Sequence, residues 1–541
     1  MEEYQSVIEN QNILESVADS GSPPGKGSSA QKIPKPPLLY NNVDFAFSLL
    51  FLVLGFLFIK LILAVAVTRD HLGLGASVFT VCFIVAALIW FRKSGLRMDR
   101  SVWMGLIPIA LTGSYFSIYQ NTTLQIPALL FLMGAAAYFI LTIGKCRVED
   151  KLGEYLAFDI IGALSMLPFG NFSKLFAIQR DKLKSTKKGK SAVLLMFGIL
   201  LTLPVSMYVG TLLQNADAAF ERFWINFIEK VLAEDLDITV FQILISIPVS
   251  MYLYGLFYGS VKSGKQSIIS REKASAAIEQ AKTLPLYLVI GGITPLLLIY
   301  LLFFFSQTAY FLSAFSGYLP HGMIYSEYAR RGFFELCQVS FINAVFVAVL
   351  LCFTKGGQTS VISRLYACIL AAFSMALITM SLSKMLLYID IYGLTPLRVY
   401  TSWFMVFLFI LFILTVVRIF QPAFGLVRYC AAAGIMMFLL LCYADTDQII
   451  ASYNIHGYRT GRLAQLDIDA ISYSGSSSTP YLIAIMKDEE MDEAYREQAR
   501  RILRGKINNV NRIEEGDWRS ATVAGAKESK ALKENKYLIM R

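Results

Sequence analysis

Three histidines, His71, His321 and His456, stand far apart in the chain. A histidine metal site needs ligands at helical or turn spacing, and a serine relay needs a histidine beside its nucleophile, so neither chemistry is supported. The seven cysteines (Cys82, Cys146, Cys337, Cys352, Cys368, Cys430, Cys442) fall in or beside apolar runs, without a Cys-x-x-Cys. That pattern argues against a zinc site and against structural disulfides. The run Gly259-Ser260-Val261-Lys262-Ser263-Gly264-Lys265-Gln266 carries most of a phosphate loop. However, Gln266 replaces the magnesium-binding hydroxyl, and the run leaves an apolar helix rather than a strand. No metal and no cofactor are expected.

The residues left for chemistry are charged or amide side chains in or beside apolar runs. Lys60 lies in the second half of one such run and Lys384 near the end of another, where a lysine either snorkels to the interface or takes a paired or ligand-facing role. Glu335, Gln338 and Asn343 form a stripe that either lines an aqueous cavity or joins helices. Asp217, Glu335 and Asp390, facing Lys384 and Arg398 with Asn343 nearby, make up the candidate binding cluster. It reads either as a polar cavity at one face of the membrane or as a network that docks the C-terminal segment. Carboxylates can act as acid and base, but no nucleophile or metal set accompanies them, so the balance leans away from an enzyme.

The elements that must position these groups follow from composition. Of 541 residues, 56% are hydrophobic and 16% charged, with a mean hydropathy of +0.55. Soluble domains carry roughly 25% charged residues. The apolar residues come in runs of about twenty, the length that crosses a hydrocarbon core about 30 Å thick. The expected fold is an all-α polytopic integral membrane protein with about 11 transmembrane helices.

Residues 1–40 read as a disordered cytoplasmic tail, rich in Ser, Gly, Pro and Gln. Four spans follow in 41–144: Phe45 to Val67, Gly73 to Trp90, Val102 to Tyr119 and Leu124 to Gly144. Residues 145–191 form a basic loop in which Tyr155 to Gly170, apolar but carrying Asp159 and Pro168, reads as a re-entrant or interfacial piece. Seven more spans occupy 192–444: Ala192 to Leu213, Ile238 to Gly259, Pro285 to Ser306, Glu335 to Thr354, Leu365 to Leu387, Tyr400 to Val417 and Tyr429 to Tyr443. Between the first two of these, 218–233 has the periodicity of an amphipathic helix lying on headgroups. Residues 445–541 form a small helical domain, short of core residues and expected to pack on the membrane part; Ser478-Thr479-Pro480 starts one of its helices.

Lysine and arginine set the orientation. With the N-terminus inside, inner segments hold about 26 of them and outer ones about six, the bias of cytoplasmic loops. An odd number of spans then makes the C-terminal domain extracytoplasmic. The net charge of +10 is spread over alternate loops rather than gathered with aromatics in one patch, so nucleic acid is not an expected partner. The expected partners are membrane lipids, anionic ones at the inner basic loops, and a protein at the C-terminal domain.

One internal echo stands out: Leu203-Pro204-Val205-Ser206-Met207-Tyr208 and Ile247-Pro248-Val249-Ser250-Met251-Tyr252, near the middles of consecutive spans. Proline frees a carbonyl and kinks a helix, so the pair either marks a midplane binding site or is a packing coincidence.

Several stretches look familiar: Tyr328-Ala329-Arg330-Arg331-Gly332-Phe333-Phe334-Glu335-Leu336 with Phe341-Ile342-Asn343, and Leu387 to Tyr400 with its Tyr392-Gly393-Leu394-Thr395-Pro396. Asn215-Ala216-Asp217, Ile449-Ile450-Ala451-Ser452-Tyr453-Asn454 and Asp517-Trp518-Arg519-Ser520 complete the set. Together they resemble a bacterial membrane family catalogued as domain of unknown function 4173, from about the fifth span onward. The resemblance implies a multi-pass protein of the bacterial cytoplasmic membrane and brings no activity with it. Three classes of function remain open: transport or flux of a polar solute or envelope lipid through an outward-opening polar cavity; an envelope sensor, scaffold or assembly partner; and a membrane-embedded enzyme.

Overall fold

The computed structural model describes residues 40–69, 71–96, 98–184, 236–262, 267–316, 333–357, 359–473, 475–513 and 517–541, with scattered positions between 202 and 220. Residues 1–39 of the expected N-terminal tail, and nearly all of the outer helix 218–233 and of the span Ala192 to Leu213, lie outside the described residues.

Eleven helices among the described residues are long and apolar enough to cross a membrane. The protein is an all-helical polytopic membrane protein. Ten of the eleven match expected spans to within a few residues: α1 (Asn42–Thr68), α2 (Leu74–Lys93), α3 (Arg100–Ile118), α4 (Thr122–Gly144), α7 (Thr239–Lys262), α9 (Leu286–Ser306), α10 (Glu335–Phe353), α11 (Val361–Tyr392), α12 (Pro396–Phe420) and α13 (Leu426–Tyr443).

The eleventh, Leu156–Lys182, is the segment read as re-entrant. It is two pieces, α5 (Leu156–Ile161, extended through a π-turn at Gly162–Met166 to Leu167–Gly170) and α6 (Lys174–Lys184). Its length and hydropathy admit a crossing, but its ends stay together. At the start, Asp159 accepts from Val148 N–H at 2.9 Å and Glu154 pairs with Arg418 at 2.9 Å. At the finish, Lys182 donates to Asn42 at 3.0 Å and Tyr40 to Asp181 at 3.1 Å. Asn42 opens α1 and Val148 follows α4, and both belong to the end of the bundle that carries the basic connections.

That basic end is tied by ion pairs of Lys145 with Asp99 and Lys262 with Asp44, both at 2.8 Å, and of Arg271, which opens α8 (Arg271–Ala281), with Glu149 at 3.0 Å. Local chemistry starts the helices there. Asn41 and Asp44 form a reciprocal capping box at α1, and Ser360 caps α11. Between α1, α2 and α7 the interior is aromatic. Trp90, fully buried, stacks on Phe47, Tyr254 and Phe257 with centroids 4.8, 5.3 and 5.6 Å away. A second core joins α9, α10 and α11 through Ile293, Tyr300, Leu350, Ala367 and Leu370. Tyr443 at the end of α13 links the halves by donating to Leu111 O on α3 at 2.7 Å.

The C-terminal segment forms α14 (Thr446–Arg459), α15 (Ile468–Tyr473), α16 (Thr479–Lys487), α17 (Glu493–Ile513), α18 (Val523–Glu534) and α19 (Lys536–Met540). It holds more core than its polarity suggests: Ile471, Leu482, Ile485, Leu503, Leu532 and Ile539 are all buried together. Helix α17 presents one apolar stripe to this core and its charges outward.

Candidate functional site

A hollow of about 430 Å³ lies at mid-height in the membrane bundle. Phe58 and Ile62 of α1, Phe79 and Phe83 of α2, Ile109 of α3 and Ala136 and Ala137 of α4 line one part of it. Leu164, Phe169 and Phe172 of the bent segment and Pro248, Val249 and Tyr252 of α7 line the rest. Its size falls within the roughly 300–1,000 Å³ of ligand pockets. Met133 and Phe169 line it while remaining 43% and 63% exposed, so it opens sideways, toward the surface that faces lipid.

Its chemistry is almost pure hydrocarbon. Among the described lining residues the two hydroxyls are both engaged: Thr80 donates to Ala76 O at 2.8 Å and Tyr252 to Leu164 O at 2.9 Å. The second bond has a sequence origin. The α-helical donor to Leu164 would be residue 168, a proline without an N–H, and the Tyr252 hydroxyl takes its place. Both walls depart from α geometry beside the hollow, α1 through a π-turn at Ile59–Leu63 and α5 through that at Gly162–Met166. Single π-turns inside helices gather at functional sites. The second copy of the internal echo thus supplies three wall residues, Pro248, Val249 and Tyr252; the first copy lies almost wholly outside the described residues.

The described members of the polar cluster expected from sequence stand in different surroundings. Asp217 lies outside the described residues. Glu335 and Gln338 are exposed on α10, while Asn343 is buried and accepts from the Tyr300 hydroxyl of α9 at 2.7 Å, the helix-joining alternative for this residue. Lys384 is buried in α11. Asp390 faces neither Lys384 nor Arg398 but lies 3.7 Å from Arg462 of the C-terminal domain. Arg398 donates to the carbonyls of Tyr392 and Gly393 and covers the Tyr388 ring, 4.1 Å from its centroid. The reason is local: a guanidinium two residues past a helix start finds its carbonyls in the turn just before it. Around these residues the described structure forms a joint rather than a cavity.

That joint brings together stretches far apart in sequence. Asn454 accepts from Leu394 N–H at 2.6 Å and donates to Leu394 O at 2.8 Å, pinning the α11–α12 turn to α14. Nearby, Asn121 donates to Tyr400 at 2.9 Å and to Thr446 at 3.2 Å. Gln120 accepts from Ser476 and contacts His71 at 3.0 Å. The C-terminal domain therefore sits on the bundle end opposite Asn42, held by the connections after α1, α3 and α11.

A bundle of this kind, with its hollow in the spanning region and a helical domain on one end, defines a polytopic membrane protein with an intramembrane apolar pocket. The chain belongs to the family described as Domain of unknown function (DUF4153), whose model matches residues 106–485. This corrects the number 4173, and also the extent: the match includes α4 and most of α3, and it stops before Asp517-Trp518-Arg519-Ser520. No curated protein and no solved structure matches.

The pocket escaped the sequence reading because its lining residues have the composition of any lipid-facing helix. The available signals were the Pro248 echo and Pro168, both proline breaks that end at its wall.

Proposed function

We propose that this protein handles a membrane lipid, taking one acyl chain from the bilayer into the cavity between α1–α4, the bent segment and α7. The observation that carries this is the lateral opening of an apolar hollow at mid-height. Of the transported species considered above, a polar solute would find no free hydrogen-bonding side chain among the described wall residues, whereas an acyl chain needs none. Moving a chain from bilayer to pocket gains no hydrophobic free energy, so preference among chains rests on packing. At about 24 cal/mol per Å³, a hollow of 430 Å³ without neighbours would forfeit on the order of 10 kcal/mol, which favours a filled pocket. The setting is the bacterial cytoplasmic membrane, with the basic end inside against anionic headgroups and the C-terminal domain outside.

A second reading, an envelope scaffold, is favoured by the C-terminal domain, whose own core and firm docking suit a protein partner on its outer face.

The test is photocrosslinking of full-length protein in vesicles containing a phospholipid with a diazirine on its acyl chain. Labelling is expected on the Met133–Ala137 stretch and is expected to be lost in Ala136→Phe, which fills the hollow. Labelling confined to the outer faces of the helices, or unchanged in Ala136→Phe, removes the lipid reading.

A further inference from the structure

The π-turn in α1 has the cavity on one side and the C-terminal domain on the other. Within it, Ala64 N–H donates to Ile59 O, five residues back, rather than to Lys60 O. Lys60 O instead accepts from Arg519 Nη1 at 2.8 Å. The guanidinium is fixed from behind by Asp517, with Nε 2.7 Å and Nη2 2.6 Å from its two oxygens. The turn carrying both residues is itself clamped to the start of α2. Leu74 N–H donates to Ala521 O at 2.9 Å, and His71 Nε2 lies 3.1 Å from Ser520 O. Gly73 permits this approach, because a Cβ there would stand 2.4 Å from the Ser520 carbonyl carbon. The same π-turn carries Ile62, and Phe58 immediately precedes it; both line the cavity.

We propose that Arg519 is a positioning residue for the pocket: by holding the Lys60 carbonyl it keeps α1 in its π-turn, points Phe58 and Ile62 into the hollow, and so sets which acyl chains fit. A π-turn holds one residue more than the α-turn it replaces. Returning to α geometry rotates one side of the helix by about 100° and shifts it by about 1.5 Å. Phe58 and Ile62 could then not both keep their places on the wall. The carbonyl that a π-turn exposes needs a donor, because a backbone acceptor within the membrane bundle has no water to fall back on. Arg519 supplies it from a domain outside the spans. A lysine cannot substitute, since its single ammonium lacks the planar fork that reaches Asp517 and Lys60 O together.

This inference rests on the pocket holding an acyl chain, and the experiment separates the two. Full-length protein in phospholipid vesicles is photolabelled with a series of diazirine lipids of increasing chain length. The readouts are the labelling of the Phe58–Ile62 and Met133–Ala137 stretches. Wild type is expected to favour one chain length. Arg519→Gln and Arg519→Lys are expected to lose that preference and to lower Phe58–Ile62 labelling on the order of tenfold. Deletion of Leu63, which takes the extra residue out of the turn, should reproduce the loss, and Arg519→Gln should add nothing to it. If Arg519→Gln fails to fold, Asp517→Asn, which loosens the guanidinium but leaves it present, takes its place with the same expectations. Unchanged chain preference in a folded Arg519 variant, or losses that add to those of the Leu63 deletion, overturns the inference while leaving the lipid reading standing. Absence of cavity labelling in wild type removes both.

Discussion

Lys262 Nζ lies 2.8 Å from Asp44 Oδ2, and the Asp44 side chain is only 1% exposed. The pair closes the basic end of the bundle. It ties the last turn of α7 to the first turn of α1, where Asp44 also accepts from Asn41 N–H at 2.9 Å and offers its carbonyl to the Tyr254 hydroxyl at 3.1 Å. Lys262→Met leaves a buried carboxylate without its counter-charge and is expected to cost about 3 kcal/mol. Asp44→Asn keeps the capping acceptor and should cost less. Thermal unfolding in detergent checks both; equal melting temperatures for wild type and Lys262→Met would show the pair to be dispensable.

The C-terminal domain is docked by an amide recognising a peptide. Asn454→Ala removes both bonds to Leu394 and is expected to lower docking stability by about 2 kcal/mol. Gly393 matters for two reasons: its φ is +76°, and a Cβ would stand 2.5 Å from Asn454 Oδ1. Gly393→Ala should therefore loosen the same joint. Limited proteolysis of the 460–465 region, next to this joint, measures either change as faster cleavage.

Acid should weaken the domain through Glu528. Burial alone would raise its carboxyl, but the Lys506 ammonium at 2.8 Å and hydrogen bonds from Thr479 and Ser476 outweigh it and hold the group below its ordinary 4.5. A folded-state value below the unfolded one means stability that is complete above pH 4.5 and is lost as pH falls through the folded value. Glu528→Gln is expected to melt lower than wild type at pH 7, with the difference shrinking as pH drops below 4.5. A gap that stays constant across this window contradicts the assignment.

Asp447 has the opposite sign. It is 6% exposed, and burial first, then the neighbouring Asp445 carboxylate, push its carboxyl up to about 6 against the Gly475 N–H, Lys506 and Thr446. The Tyr115 and Tyr400 phenols and the Asn121 amide complete its surroundings. Its folded value lies above the unfolded 3.8, so its contribution is fully present below pH 3.8 and is lost as pH rises through about 6. Asp447→Asn should then melt higher than wild type at pH 8, by an amount on the order of 2 kcal/mol, and match it near pH 4. A variant that is less stable at pH 8 would mean that the ionised carboxylate is needed for docking.

Much of this architecture is legible in residues taken a few at a time. Ten spans follow from apolar run length, because crossing hydrocarbon sets one length and one composition. The bent segment is marked by Asp159 and Pro168, a carboxylate that reaches back to Val148 N–H and a ring that breaks the ladder. The start of α16 is marked by Ser478-Thr479-Pro480. The candidate site was not legible in this way. Asp390 and Arg398 carry charges that invite pairing, yet each found a nearer partner, Arg462 in one case and the carbonyls of its own turn in the other.

What the sequence by itself determined is which stretches are long and apolar enough to lie in lipid, since that depends on transfer free energies summed within a single segment. Only the tertiary structure decided where helices leave a gap and which carbonyl a distant arginine reaches. A cavity is a property of several surfaces at once. The residues around this one, Phe58, Ala136 and Tyr252 among them, carry no mark in their own neighbourhoods that they share a wall. The meeting of Arg519 with Lys60 O spans 459 positions and exists because a turn at the far end of the chain settles against the start of α2.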